Sequence, residues 1–184
     1  MNSIHPTEIL IPAVDLPFFQ TELLNNWTIS GNVDTNFIGD PSADWSNHYD
    51  NTSNFDSGNQ KFNITKDGIY NVCVNWGKTS LGTRLSIRVE HYDSNGNGLF
   101  EYIPEFQDGY YGTANILVKN CGVGDYLKVR IQYQAASGTI VLLGHQGSTA
   151  HGDNFTRVNN IMTISYVNNQ YVKSSMIKRF DYYT

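Results

Sequence analysis

Apolar and polar residues alternate along most of this chain, and Gly, Asn and Asp interrupt the alternation at short intervals. In GIYNVCVNWG, Tyr70, Val72, Val74 and Trp76 share one face of an extended chain, while Asn71, Cys73 and Asn75 share the other. LSIRVEHY repeats the pattern, with Leu85, Ile87 and Val89 set against Ser86, Arg88 and Glu90. TANILVK (Ala114, Ile116, Val118), YLKVRIQY (Leu127, Val129, Ile131, Tyr133) and NIMTISYV continue it. Turn dipeptides separate the runs: Asp67-Gly68, Asn95-Gly96, Asp108-Gly109, Gly124-Asp125 and Ser137-Gly138. No segment sustains an apolar period of 3.6 over about 11 residues, and no internal repeat is present. Many short strands with no helix between them predict an all-β sandwich or jelly roll.

The ends of the chain depart from this pattern. Residues 1–26 carry ILIPAV and LPFFQTELL, apolar segments broken by Pro6, Pro12 and Pro17. They read either as an extended arm laid on a larger assembly or as a first strand covering the protein's own core. The sequence thus divides into an N-terminal arm with the first strand or strands (1–45), a jelly-roll body (46–167) and a C-terminal extension (168–184).

Composition narrows the function. With 184 residues, 40% hydrophobic, 16% charged and 13% aromatic, the chain can enclose one core without metals or disulfides. A net charge of −5 offers no basic stripe for a phosphate backbone, so nucleic acid is not an expected partner. The one basic cluster, Lys173 to Arg179, reads as a solvated tail. No apolar run approaches the roughly 18 residues of a membrane span, and the N-terminus does not read as a secretory signal. Cys73 and Cys121 are too sparse for a disulfide framework and are expected as free thiols.

The stretch from Phe55 to Val74 carries a family likeness. Phe55, Asp56, Gly58, Phe62, Gly68, Tyr70 and Val72 resemble the signature of the globular head of complement component one q and of the tumour necrosis factor superfamily. GTANILVKNCGVGDYLKVRIQ is similar to that family's paired strands joined by a Gly-Asp turn, here Gly124 and Asp125. GDNFTRVNNIMTISYV stands where the closing strand belongs, although Phe155 and an Asn-rich lead-in replace the usual Phe-x-Gly. The likeness covers residues 50–167. It implies a ten-stranded, tumour-necrosis-factor-like jelly roll that assembles as a homotrimer. It also implies that the strands around Ile69–Trp76, Tyr126–Tyr133 and Ile161–Val167 lie in the sheet that makes the trimer. On that basis Asn71, Cys73, Asn75, Lys128, Arg130 and Gln132 are expected at the interface, with Arg130 in an inter-subunit ion pair and Arg88 on the outer sheet.

Few residues suggest chemistry. DSNGNG reproduces the opening of a calcium loop through Asp93, Asn95 and Asn97, with Glu101 at the ninth position, but Pro104 occupies the twelfth; the alternative is an Asn-Gly hairpin turn. His145 and His151, followed by Asp153, could present imidazoles to zinc or form a solvent-exposed loop. Asp40, Asp44 and Asp50 gather in a loop-like stretch that could supply paired carboxylates. No nucleophile elbow, phosphate loop or HExxH motif occurs, so no enzyme and no obligate cofactor is expected. Asn26, Asn51, Asn63 and Asn154 begin glycosylation sequons that read as chance in an Asn-rich chain. Trp45, Tyr49, Tyr102, Phe106, Tyr110 and Tyr111 lie in or beside loops dense in Asn, Asp, Ser and Gly, a composition suited to gripping a protein or a sugar.

The expectation is a trimeric virion surface protein: a head fibre, knob or decoration protein. Its N-terminal arm would meet capsid or other virion proteins, and its loops would meet a host surface protein or glycan, without membrane insertion. The alternative is a ligand- or carbohydrate-binding module on a bacterial cell or spore surface.

Overall fold

A computed structural model describes residues 16–30, 34–36, 43–78, 84–103, 111–134, 139–144 and 160–167, which are all-β. The strands are β1 (Phe18–Leu23), β2 (Trp27–Ser30), β3 (Asp34–Asn36), β4 (Trp45–Asp50), β5 (Phe55–Asp56), β6 (Lys61–Asn63) and β7 (Gly68–Gly77). They continue as β8 (Arg84–Tyr92), β9 (Gly98–Tyr102), β10 (Tyr111–Cys121), β11 (Tyr126–Gln134), β12 (Thr139–Leu142) and β13 (Ile161–Val167). One sheet runs β10-β7-β13-β1-β4 and the other β5-β6-β11-β8-β9, with β3 added beside β11 and β2 paired with β12. All pairings are antiparallel. The two five-strand paths are the ten-stranded jelly-roll framework that the resemblance implies.

The alternation of period two translates directly into burial. Tyr70, Val72, Val74 and Trp76 are buried from β7, and Leu85, Ile87 and Val89 from β8. Leu127, Val129, Ile131 and Tyr133 join them from β11, and Met162 and Ile164 from β13. Apolar side chains on one face of each sheet meet at the sheet-to-sheet interface, where burial contributes about 25 cal/mol per Å² of apolar surface.

At one end of the sandwich an aromatic column joins the sheets. Phe19 of β1 stacks on Phe55 of β5 at 4.7 Å and lies 6.2 Å from Phe62 of β6, which meets Tyr70 of β7 edge-on at 6.0 Å. Tyr166 of β13 closes the row against Tyr70 at 5.5 Å. The buried Tyr70 hydroxyl donates to the Lys66 carbonyl at 2.9 Å, and burial pushes its phenol well above its ordinary pKa.

Two expectations about organisation change. The segment around LPFFQTELL is a strand of the body: β1 sits between β13 and β4, with Phe19 and Leu23 fully buried. Phe18–Leu23 is thus a strand over the protein's own core, within the stretch 1–45 expected to hold the arm and the first strand or strands, and the described jelly roll includes it. Residues 1–15 and 168–184 lie outside the described residues.

The second change concerns β11. It pairs with β8 and β6, so the Gly122–Asp125 turn carries the chain from one sheet to the other and does not close a hairpin between β10 and β11. Lys128, Arg130 and Gln132 accordingly do not share a sheet with Asn71, Cys73 and Asn75. Arg130 is the direct cross-strand partner of Arg88, so the two arginines expected on opposite sheets stand side by side. Alternation assigns residues to the faces of a strand, but which sheet receives the strand depends on the turn.

Replacing Phe19 by Ala is expected to remove about 3–5 kcal/mol of stability, because it opens a cavity at the junction of four strands. Denaturant unfolding checks this, and an unchanged midpoint would show that the column does not hold the sheets together.

Candidate interaction surfaces

The outward face of the five-stranded sheet has a polar, uncharged centre. β7 contributes Asn71, Cys73 and Asn75; their cross-strand partners are Ser165, Thr163 and Ile161 on β13, and Leu117, Asn115 and Thr113 on β10. Thr113 donates its hydroxyl to the Asn75 side-chain oxygen at 2.8 Å. Apolar groups flank this centre on both sides. Phe18 and the half-exposed Tyr49 pack at 5.6 Å toward the β4 edge, while half-exposed Leu117 and Tyr111 lie on the β10 edge. β9 is the edge of the other sheet on the same side as β10 and exposes Leu99 and Phe100, with Ile103 just beyond it. Two strand edges with apolar side chains, unpaired among the described residues, thus run along one side of the sandwich.

The outward face of the six-stranded sheet carries a charge network. Arg88 holds Glu90 through Nη2 at 2.8 Å and Glu101 through Nε at 2.9 Å, and Arg130 reaches the same Glu90 oxygen at 3.7 Å. Glu90 separates two arginines that would otherwise repel each other across neighbouring strands. Its other oxygen accepts the Tyr92 hydroxyl at 2.8 Å. Burial, and then this bond to a carboxylate, pushes the Tyr92 phenol up to about 12. Tyr92 stacks on Tyr126 with ring centroids 4.9 Å apart and planes 8° off parallel, and the Lys61 ammonium lies 4.6 Å from the Tyr126 centroid. Lys128 projects from the same face of β11, directly opposite Glu90 in register. Gln132 is paired with Asp34 of β3 and Ser86 of β8.

Inside the sandwich, fully buried His91 meets Asp125 at 2.8 Å through Nε2, and the same Asp125 oxygen accepts the Gly122 backbone N–H at 2.8 Å. This pair ties β8 to the turn that carries the chain between sheets. Gly124 adopts φ = 95° there, a region that favours glycine.

The expected aromatic loop cluster is dispersed. Trp45 and Tyr49 are residues of strand β4, and Trp45 meets Trp27 edge-on at 6.4 Å. Tyr102 ends β9 and packs against the core, and Tyr111 starts β10. β4 and β10 are opposite edges of one sheet, so these residues form no single site. Phe106 and Tyr110 lie outside the described residues, as do His145, His151 and Asp153.

The segment Asp93–Asn97 is the turn of the β8–β9 hairpin. The Asp93 carboxylate accepts the backbone N–H groups of Asn95 and Asn97 and the Asn97 amide, at 2.8 to 2.9 Å. These bonds, the Asn97 side chain first, hold its carboxyl below the usual range. Glu101, the further calcium candidate, is turned to Arg88. Among the described residues no cluster of three or more His, Cys, Asp or Glu side chains could hold a metal.

The carboxylates near residue 50 likewise make structural bonds. Asp50 accepts the Asn54 and Phe55 N–H groups, and Asp44 accepts the Asn25 amide at 2.6 Å. The network of Arg88, Glu90, Tyr92 and Glu101 escaped the sequence reading. Its signal was the shared face of residues 88, 90 and 92, but the partner on β9 depends on a bulged register that alternation does not reveal.

Both cysteines are free thiols. Burial, and to a lesser degree the Asp125 charge, pushes the Cys121 thiol up to about 12, whereas Cys73 is partly exposed on the uncharged face. Iodoacetamide at mildly alkaline pH is expected to label Cys73 and spare Cys121 until the protein unfolds, because only the thiolate reacts. Equal labelling of the native protein, read by peptide mass spectrometry, would contradict this. On the charge network, Arg88→Ala is expected to cost about 1–3 kcal/mol by leaving the nearly buried Glu90 without its closest cation. Arg130→Ala, at longer range and more exposed, should cost less in the same unfolding measurement.

No family model and no curated protein sequence matches the chain. Solved structures do. Vertex protein P5 of PRD1 superposes with a TM-score of 0.51 at 14% identity, over 83% of this chain and 98% of that one. Murine APRIL gives 0.47 at 10% identity, over 82% and 98%. The globular domain of zebrafish complement 1qA gives 0.44 at 14% identity, over 84% and 98%. The chain shares the fold of PRD1 vertex protein P5, here a two-sheet antiparallel jelly roll.

Proposed function

We propose that the chain is a non-enzymatic surface protein that self-assembles as a homotrimer and is carried on a virion, as a head fibre, knob or decoration protein. The observation that carries the reading is the distribution of charge and apolar surface. The outward face of the five-stranded sheet has an uncharged centre, Asn71, Cys73 and Asn75, with apolar rims, Phe18 and Tyr49 toward β4 and Tyr111 and Leu117 on β10, while the cluster of Arg88, Glu90 and Arg130 lies on the other sheet.

A face with apolar rims and an uncharged centre fits burial against further copies of the chain, and such contacts close into rings when the rotation allows. Asn71, Cys73 and Asn75 would line the threefold axis, and uncharged groups suit a place where symmetry repeats every charge three times. The network of Arg88, Glu90 and Arg130 would then lie on the outer flank, free for attachment or for contact with other virion proteins. The likeness to PRD1 vertex protein P5 supports a virion setting for this fold.

Sedimentation should give a particle of three chains of 20.7 kDa. Asn75→Arg, placing three cations at the axis, is expected to weaken association at least about tenfold, whereas Lys128→Glu on the other sheet should leave it intact. A monomeric wild-type protein, or equal trimer dissociation for the two variants, would overturn the assembly. A trimer that never copurifies with particles would overturn the virion setting.

A further inference from the structure

We infer that the outer flank holds a binding site for a neutral pyranose sugar, in the cleft between the Tyr92 ring and strand β9. This names the ligand class of the attachment surface proposed above and rests on that reading only for its biological setting; the site itself is built from one copy of the chain.

The residues form a row across the sheet. Lys61 lies over one side of Tyr126, Tyr126 stacks on one face of Tyr92, and the next position beyond Tyr92 is Gly98, its register partner on β9. A Cβ at residue 98 would stand 3.8 Å from Cε1 of Tyr92, in ordinary contact. Glycine leaves that side of the ring uncovered. The space beside it is a cleft of about 340 Å³ lined by Glu90, His91, Tyr92, Gly98, Leu99, Phe100 and Glu101. Its size falls within the range of small-ligand sites, which typically start near 300 Å³.

The polar groups select the ligand. An open aromatic face stacks on the C–H surface of a sugar ring, and carboxylates accept its hydroxyls. Glu101 uses one oxygen on Arg88, and its side chain, half exposed and lining the cleft, can turn its other oxygen toward a sugar hydroxyl. Glu90 is locked by Arg88, Arg130 and Tyr92, so it shapes the wall without moving. Two carboxylates balanced by two guanidinium groups leave the site close to neutral. An acidic sugar would meet the carboxylates at close range, and a cationic ligand would find no surplus negative charge. A neutral sugar incurs neither cost.

The test is a saturation-transfer NMR titration of the full chain with lactose, maltose and chitobiose, with sialyllactose as the anionic probe and sedimentation run on the same samples. At least one neutral disaccharide should bind with a Kd of about 1 mM, ordinary for one shallow site. Gly98→Val, which fills the space over the ring without backbone strain, should weaken that binding at least about tenfold with an unchanged unfolding midpoint. Glu101→Gln should weaken it several-fold while keeping the fold. Absence of binding by all three neutral sugars, undiminished binding by Gly98→Val, or tighter binding of sialyllactose would each overturn the site. A monomer that binds sugar would sink the trimer and spare the site; a trimer that binds none would do the reverse.

Discussion

The architecture depends on the aromatic column that begins at Phe19. Two sheets of a sandwich need a fixed offset before their alternating side chains can interdigitate, and a row of rings from β1, β5, β6 and β7 supplies it. Three of these rings come from one stretch of chain, Phe55 to Tyr70, while the fourth arrives from β1, far earlier in sequence. The sandwich is therefore incomplete until the first strand inserts between β13 and β4. That insertion joins the first and last described strands of the body, a contact of high sequence separation whose loop-closure entropy must be met before its burial is gained.

A second constraint decides what each face can do. The turn at Gly122–Asp125 lifts the chain from β10 in one sheet to β11 in the other, and the His91–Asp125 pair anchors it to β8. Without that crossing, β11 would pair beside β10, and its Lys128 and Arg130 would enter the uncharged face. With it, every cation of β11 joins β8, where Glu90 and Glu101 are available. The location of one turn thus keeps the cations of β11 away from the centre of the other sheet and gathers them with carboxylates.

Much of the fold was legible from alternation, since the buried apolar residues of β7, β8, β10, β11 and β13 follow the period-two pattern, although Ser86 and Glu90 on the other face of β8 are buried as well. The likeness at Phe55, Phe62 and Tyr70 also had a physical basis, because these residues form the column. What could not be read was pairing. Arg88 and Arg130 each lay on the polar face of an alternating strand, but nothing local to either strand says that they are neighbours. The aromatic residues around 45–49 and 102–111 were read as lying in or beside loops because they sit among Asn, Asp and Ser; four of them belong to strands, Tyr102 and Tyr111 at strand ends and Trp45 and Tyr49 within β4, where cross-strand packing overrides composition. The Asp93–Asn97 segment shows the opposite case: its hairpin alternative was visible in Asn95-Gly96, and the carboxylate that could have met a cation is occupied by the turn's own N–H groups.

The charge network has a consequence for what the outer flank can recognise. Arg88 and Arg130 face each other across β8 and β11, an arrangement that is unfavourable unless a carboxylate stands between them. Glu90 takes that place, and because it also accepts the Tyr92 hydroxyl, the group that neutralises the arginines fixes the orientation of the ring. Tyr126, itself backed by Lys61, holds the ring's far face, so Tyr92 is fixed by a stack on one side and a hydrogen bond at its hydroxyl, with Gly98 on the other side. A recognition surface loses less entropy on binding when its aromatic group is immobilised beforehand. On this flank the immobilising contacts come from strands rather than loops, so the geometry of the cleft is set by the same pairings that hold the sheet together.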